Sequence, residues 1–370
     1  MPQRGLTVVA LTIVALPSLH RMKNRRYAIY AVVLVILAAL VYVQFRTWRN
    51  FDWAQLFRYH PLWRHIVHAI AYIYIAYLLR AVRWKIFLRP VRKNASILGL
   101  IPPTVIGFTG LALLGRPGEL IRPYLIARQE NLSVASQFAV WAVERIFDIG
   151  AFTVILVAAI FVPYTKLHIF IETASPGIQS WVHRTGYALI ALVFGLFVAT
   201  LLMSWRGNRT ARWVEERFSH LSQNLGHRIA HKIREFTEGL NTIHGPIAFL
   251  QLATVSVLMW WVIALSYKEV TTAYGAPMHT MSTTKDLLLM GSSMVGSMVQ
   301  LPGVGGGSQL AIISVMDHVF DVPKELAVSC GIMLWLVSFV AVIPVGLLLA
   351  HHERLSLRKL SAESAEAENN

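Results

Sequence analysis

The chain has 370 residues, of which 55% are hydrophobic and only 14% are charged, and its formal net charge is +15. In soluble domains roughly a quarter of the residues are charged, so this composition excludes an ordinary water-soluble protein. The basic residues cluster between apolar segments, and no nucleic-acid-binding motif accompanies them, which argues against nucleic acid as a partner.

The apolar segments indicate how often the chain crosses a membrane. A helix needs about 20 predominantly apolar residues to span a bilayer. Six segments are of this kind: Tyr27–Phe45, Ile66–Leu79, Val134–Val162, Tyr187–Met203, Ile247–Ser266 and Leu326–Ala350. The sequence therefore predicts an all-α membrane helix bundle whose transmembrane domain covers residues 27–350.

Residues 1–26 precede the first span and are interpreted as a leader and a cytoplasmic N-terminus. Lys and Arg are enriched in cytoplasmic loops. Basic clusters precede the first span and follow the second, from Arg80 to Lys93, as well as the fourth and the last. This pattern predicts a multi-pass protein of the cell membrane, the inner membrane of a bacterium, with both termini in the cytoplasm.

Two further apolar segments contain many helix-breaking residues. Ile97–Gly115 includes Pro102 and Pro103, and Leu287–Phe320 includes a glycine-rich turn. If both are re-entrant helical hairpins, one from each side, all basic loops face the cytoplasm. Two interpretations remain open: six full spans plus two hairpins, arranged as an inverted repeat of residues 27–162 and 187–350, or eight simple spans.

Two regions outside the spans are predicted from their composition. Residues 208–241 alternate charged and apolar residues at helical spacing, which indicates an amphipathic helix that either lies on the inner leaflet or packs on neighbouring loops. The tail, residues 351–370, is acidic at its end and is predicted to be disordered.

Metal and cofactor sites are not predicted. Cys330 is the single cysteine, so the chain offers no disulfide framework. Two histidine pairs, His65 with His68 and His227 with His231, are interpreted as surface residues and not as metal ligands.

The third predicted span carries three charged residues: Glu144, Arg145 and Asp148. Charges at membrane depth are costly and usually functional. Glu144 and Asp148 share a helix face, and Arg145 is placed to pair with Asp148. The trio either lines a polar substrate path or ties one span to another.

Two glycine-bearing motifs supply further candidate site residues. The segment Gly115–Pro123 combines Arg116, Glu119 and Arg122, and guanidinium forks match the oxygens of a phosphate. This favours an anionic lipid headgroup; a basic cytoplasmic loop capped by glycines is the alternative. The turn from Pro302 to Gln309 lacks the ending of a P-loop but exposes backbone groups to a headgroup, through Pro302, Gly303, Gly305, Gly306 and Gln309.

Together, Gly115–Tyr124, Val143–Asp148 and the turn at Pro302 resemble the flippase-like transmembrane domain of lysylphosphatidylglycerol synthases, over roughly Tyr27–Ala350. The resemblance implies a free-standing member without the soluble synthase domain, and a transporter, not an enzyme. It also implies that the conducting site contains Arg116, Glu119, Arg122, Glu144, Arg145 and Asp148. The family's turn commonly ends in an acidic residue, and Gln309 in that place argues against proton or cation coupling there.

These features favour a lipid flippase-like transporter that moves a polar or anionic headgroup between leaflets. Its expected partners are membrane lipids, of phospholipid or polyprenyl type, and an oligomer is compatible with the sequence. The alternative is a non-transporting membrane protein that assembles or regulates envelope lipid enzymes. A transferase acting on a polyprenyl lipid is disfavoured, because no loop supplies an Asp-x-Asp metal site.

Overall fold

The residues described by the computed structural model are 59–161, 245–297 and 305–353, with Gln300, Leu301 and parts of the 176–198 segment. The first predicted span, the leader, the amphipathic segment 208–241 and the predicted disordered tail beyond residue 353 lie outside them. So do Pro302, Gly303, His227 and His231.

The described chain is almost entirely helical. Its first part contains α1 (Trp63–Leu88), α2 (Ile97–Leu114), a 3₁₀ turn (Arg116–Leu120), α3 (Ile121–Glu130) and α4 (Val134–Phe161). Its second part contains α5 (Gly245–Ala273), a 3₁₀ turn (Met278–Thr280), α6 (Thr283–Gly296), α7 (Gly307–His318), α8 (Lys324–Trp335), a π-helical turn (Leu336–Val340) and α9 (Ile343–His352). Two-residue strands, β1 (Gln300–Leu301) and β2 (Gly305–Gly306), pair antiparallel, with Gln300 opposite Gly306. The all-α fold class is confirmed.

Four described helical stretches are long and apolar enough to cross a membrane: Trp63–Leu88, Ile97–Leu114, Ile247–Ala273 and Lys324–His352. Three of them contain predicted spans. The predicted span at Val134–Val162 forms α4, whose middle carries the three charged residues. The span predicted at Tyr187–Met203 is described only in part.

The end of α1 corrects one prediction. Arg80 and Arg83 were expected to begin a cytoplasmic loop, but α1 continues to Leu88 and both side chains are buried. The helix continues because Trp84 and Phe87 beyond these arginines are fully buried in an apolar cluster, and because both arginines find carboxylate partners.

The segment with Pro102 and Pro103 forms the first helical hairpin, α2 followed by α3. A proline at 103 cannot donate to the carbonyl of Gly99, and the Gln129 side chain on α3 donates to that carbonyl instead, at 3.1 Å. This bond satisfies the carbonyl that Pro103 leaves free, and the helix includes both prolines. With 10 residues, α3 is about 15 Å long, too short to cross a bilayer.

Glycines bring the two arms of this hairpin into backbone contact. A Cβ atom on Gly107 would lie 2.5 Å from the Cβ of Arg122, and one on Gly118 would overlap the carbonyl of Gly110. The sequence thus places Arg122 against α2 and turns its side chain toward α1 and α4.

The segment predicted as the second hairpin, Leu287–Phe320, forms α6 and α7, with β1 and β2 at the tip. The helices have 14 and 12 residues, or about 21 and 18 Å, so neither crosses a bilayer alone. Gly296 at the end of α6 touches the backbone of Gly307 at the start of α7. Both predicted hairpins are therefore helical hairpins in the structure.

Helices α1 and α5 pack antiparallel along their whole length. The start of α1 meets the end of α5, where the Leu62 amide donates to the Ala273 carbonyl at 2.8 Å. The end of α1 meets the start of α5, where Arg89 donates to the Gln251 side chain at 2.7 Å. Each of these helices is followed by a hairpin and then by a further long helical stretch. The described parts of the two halves therefore have the same order of elements and run in opposite directions, as an inverted repeat requires.

The hairpins consequently enter from opposite ends of the α1–α5 pair, and their tips meet. Arg116, in the turn between α2 and α3, donates from Nη2 to the carbonyl of Ser297 at the end of α6, at 2.8 Å. The contact joins the two halves beside the charged residues of α4.

Candidate functional site

A buried ion cluster connects α1, α3 and α4. Glu144, which has no exposed surface, accepts hydrogen bonds from Arg83 at 2.5 Å and from Arg122 at 3.0 Å. A second bond joins the other nitrogen of Arg122 to the other oxygen of Glu144, so the pair is bidentate. The carboxylate predicted on the third span thus binds two arginines from other helices.

Asp148 lies one turn further along α4 and is 2% exposed. It accepts from Arg83 at 2.7 Å and from the indole of Trp260 on α5 at 3.2 Å. Arg80 and Arg145 approach its second oxygen at 3.6 and 3.7 Å. The predicted pairing of Arg145 with Asp148 is therefore present, and Arg83 bridges the two carboxylates.

Aromatic rings cover the faces of the arginines. The guanidinium of Arg122 lies 4.5 Å from the ring centroid of Trp84, and that of Arg80 lies 4.7 Å from that of Phe108. Trp84 is fixed by a 3.1 Å hydrogen bond from its indole to Gln137 on α4. Rings on these faces favour the cations and exclude water from the cluster.

The cluster contains more positive than negative charge. Four arginines, Arg80, Arg83, Arg122 and Arg145, surround two carboxylates, so its formal charge is +2. Several of its buried polar atoms have no hydrogen-bond partner: Arg80 Nη1, Arg83 Nε, Arg145 Nε and Asp148 Oδ2. The surplus positive charge and the three arginine nitrogens without a hydrogen bond favour an anion as the ligand, whereas Asp148 Oδ2 can only accept.

A small pocket beside the cluster joins it to the first hairpin tip. Glu119, Arg122, Trp141 and Arg145 line it together with Gly107, Phe108 and Leu111 of α2. Arg145 is about one third exposed, and Glu119 is held by Arg116 at 2.7 Å. All six charged residues predicted from the sequence thus lie in one connected region.

Of the residues predicted at the second hairpin, the described ones, Gly305, Gly306 and Gln309, lie at its tip. The Gln309 side chain accepts from the Gly306 amide at 2.7 Å and so caps α7, while Gly305 pairs with Leu301. Gly307 contacts Gly296, and the carbonyl of Ser297 accepts a hydrogen bond from Arg116. The tip of the second hairpin therefore lies next to the tip of the first hairpin.

Arg80 and Arg83 were not predicted as site residues. A signal existed, because Glu144 and Asp148 share a face with only Arg145 nearby, which leaves one carboxylate without a countercharge on its own helix. Two arginines three residues apart, just beyond the preceding predicted span, were the available partners. Sequence reasoning assigned them to a loop instead.

A third buried carboxylate, outside the cluster, was not predicted. Asp286 at the start of α6 has no exposed surface, accepts from Thr271 at 2.9 Å and lies 3.7 Å from the ammonium of Lys268. Burial raises the pKa of the Asp286 carboxyl to about 6. The pair attaches the base of the second hairpin to α5.

Comparison with known proteins identifies one family. The family model described as the lysylphosphatidylglycerol synthase TM region matches residues 28–346, which include the ion cluster and both hairpins. No curated protein and no solved structure matches the chain.

Proposed function

Because the chain belongs to the lysylphosphatidylglycerol synthase TM region family, as its motifs predicted, we propose that it moves an anionic lipid headgroup between the leaflets of the cell membrane. The family name ties these proteins to a membrane lipid. The observation that carries the proposal is the buried +2 cluster beside the meeting point of the two hairpins.

An anionic headgroup is the ligand that this cluster favours. Each buried charge without a countercharge costs several kcal/mol, so an entering phosphate would offset the surplus of the arginines. Arg122 and Arg145 line the pocket beside the cluster. Arg145 is the more exposed of the two, and a guanidinium group donates charge-assisted hydrogen bonds to phosphate oxygens. No covalent chemistry is required, so the proposed role is transport and not catalysis.

The acyl chains would remain in the bilayer while the headgroup crosses between the hairpin tips. Only the headgroup then needs hydrogen-bond partners in place of water, which removes most of the cost of transfer. In the structure the tips touch through Arg116 and Ser297, and the pocket beside Arg145 is small. This conformation is closed, and passage of a headgroup requires the tips to separate.

Reconstituted vesicles test the proposal through Arg122. The variant Arg122→Gln keeps hydrogen-bonding capacity but removes the charge, and we expect it to slow the transbilayer movement of a fluorescent phosphatidylglycerol roughly tenfold or more. Arg128→Gln is the matched control, since Arg128 is exposed on the last turn of the same helix α3. Wild-type rates in Arg122→Gln vesicles that contain correctly inserted protein would refute the site.

The second candidate function is assembly or regulation of envelope lipid enzymes without transport. One observation favours it: both carboxylates of the cluster are paired with arginines and the neighbouring pocket is small, as in a purely structural ion network. In that case wild-type protein moves neither phosphatidylglycerol nor a polyprenyl phosphate, and Arg122→Gln alters only stability.

A further inference from the structure

A second group of polar residues lies at the opposite end of α1 from the ion cluster. His65 and His68 occupy the first turns of α1, and Glu269 lies near the end of α5, 204 residues after His65 in the chain. His68 and Arg80 are twelve residues apart on the same helix, or about 18 Å. The group is therefore separate from the proposed headgroup site.

The three side chains converge on one point. The Nδ1 atom of His65 lies 2.6 Å from Oε2 of Glu269, and Nδ1 of His68 lies 3.7 Å from the same oxygen. One ligand atom from each of the three residues lies within 4.8 Å of the others. His65 and Glu269 are largely buried, whereas His68 is mostly exposed.

We propose that His65, His68 and Glu269 bind a divalent transition-metal ion of the zinc type, which links α1 to α5. Two imidazoles and one carboxylate are a ligand set that Zn²⁺ takes in proteins, with water in the fourth position. Ligand atoms around a tetrahedral zinc are about 3.3 Å apart, and the two measured separations bracket that value. Lengthening the His65–Glu269 separation by about 0.7 Å and shortening the His68–Glu269 separation by about 0.4 Å would bring both to that value.

Binding would move a proton within the His65 ring. The 2.6 Å contact with Glu269 fits the tautomer that carries its hydrogen on Nδ1. A metal-bound imidazole nitrogen carries no hydrogen, so this hydrogen would shift to Nε2. Arg64 donates to the other ring nitrogen of His65 at 3.4 Å. Because Arg64 is exposed, it can turn away when that nitrogen becomes protonated.

The position of the site gives the metal a structural consequence. Helices α1 and α5 each precede the hairpin of one half, and they meet here through the Leu62 amide and the Ala273 carbonyl. A metal bound across this junction would hold the halves together at one end while the hairpin tips move further inside.

Metal titration of the purified full chain in detergent tests the proposal. After removal of metals with a chelator, we expect one tight equivalent of Zn²⁺, and a Co²⁺-loaded sample with the intense visible bands of tetrahedral coordination. The affinity for this Zn²⁺ ion should fall at least roughly tenfold in each of the variants His65→Ala, His68→Ala and Glu269→Gln. His352→Ala is the control, because His352 is exposed at the end of α9, and it should bind as the wild type does.

The thermal midpoint provides a second readout. Zn²⁺ should raise the midpoint of the wild type and of His352→Ala but not that of Glu269→Gln, whose amide preserves the size of the side chain and its contact with His65. Equal zinc binding and equal midpoint shifts in wild type and Glu269→Gln would overturn the proposal, as would a wild type that binds no tight equivalent.

Discussion

Arg83 is the residue on which the buried ion cluster depends most. It is fully buried and donates to Glu144, Asp148 and the Ser256 hydroxyl of α5. Removing one member of a buried ion network leaves its partners charged and unpaired, at a cost of about 3–5 kcal/mol. We therefore expect Arg83→Met to lower the free energy of unfolding by that amount, as measured by chemical denaturation in detergent.

Arg89→Met serves as the comparison for this prediction. Arg89 lies just beyond α1, is exposed and contacts the Gln251 side chain, so its loss should change stability by less than about 1 kcal/mol. Equal effects of the two substitutions would show that the cluster contributes no more than a surface contact.

Asp286 gives the protein a predictable pH dependence. The pKa of its carboxyl is raised by burial to about 6, above the value of about 3.9 in an unfolded chain. The folded state therefore binds this proton more tightly. The stability gained is fully present below about pH 4 and is lost as pH rises through about 6.

Asp286→Asn should remove this dependence. We expect the stability of the variant relative to that of the wild type to rise by roughly 2–3 kcal/mol as pH increases from about 4 to 7.5. Unfolding curves recorded at both pH values provide the measurement. A constant difference between variant and wild type would mean that Asp286 does not titrate in this range, and that Lys268, 3.7 Å away, keeps it ionised throughout.

At the level of elements, the two hairpins could be predicted because glycine and proline interrupt an apolar segment at visible positions. The continuity of α2 through Pro102 and Pro103 could not, since it depends on Gln129 of another helix donating to the Gly99 carbonyl. The burial of Arg80 and Arg83 was missed for a similar reason. Their carboxylate partners lie more than 60 residues away, and local hydropathy carries no information about them.

Gly118 tests how closely the arms of the first hairpin must pack. A Cβ atom there would overlap the Gly110 carbonyl and the Leu111 amide nitrogen. Overpacking of this kind typically costs about 1–3 kcal/mol, so Gly118→Ala should lower the thermal midpoint and shift the backbone of α3. Because α3 carries Arg122, lipid movement should decline as well.

Gly150→Ala is the control for Gly118→Ala. Its added Cβ atom would lie 3.6 Å from Val193, an ordinary contact, and alanine favours a helix over glycine by up to about 1 kcal/mol. The midpoint should stay the same or rise. If both substitutions behaved alike, close packing of the hairpin arms would not contribute to stability.

For the whole molecule, counting crossings against basic loops left two arrangements open without any contact information, an inverted repeat and eight simple spans. The antiparallel packing of α1 and α5 agrees with the inverted repeat, since these helices hold corresponding positions before the two hairpins and run in opposite directions. The contact between Arg116 and Ser297 was beyond sequence reasoning, because these residues are 181 positions apart. What the pattern supplied was the expectation that two broken segments meet.

The side of the membrane that each hairpin base faces distinguishes the two topologies, six spans with two hairpins or eight simple spans. Cys330 is the single cysteine and is buried, so Cys330→Ala provides a background for single cysteines. Arg128→Cys lies at the base of the first hairpin and Thr280→Cys at the base of the second, and both positions are exposed. Since α1 and α5 run antiparallel, a membrane-impermeant maleimide should label them from opposite sides.

The positive-inside rule adds the direction: residue 128 should react from the cytoplasm and residue 280 from outside. The reverse labelling would mean that Ile97–Gly115 crosses the membrane completely and inverts every later loop. Labelling of both positions from one side would contradict the antiparallel arrangement itself. The proposed transport path would then lose its physical basis, because hairpin tips that approach from opposite leaflets are what carries a headgroup from one leaflet to the other.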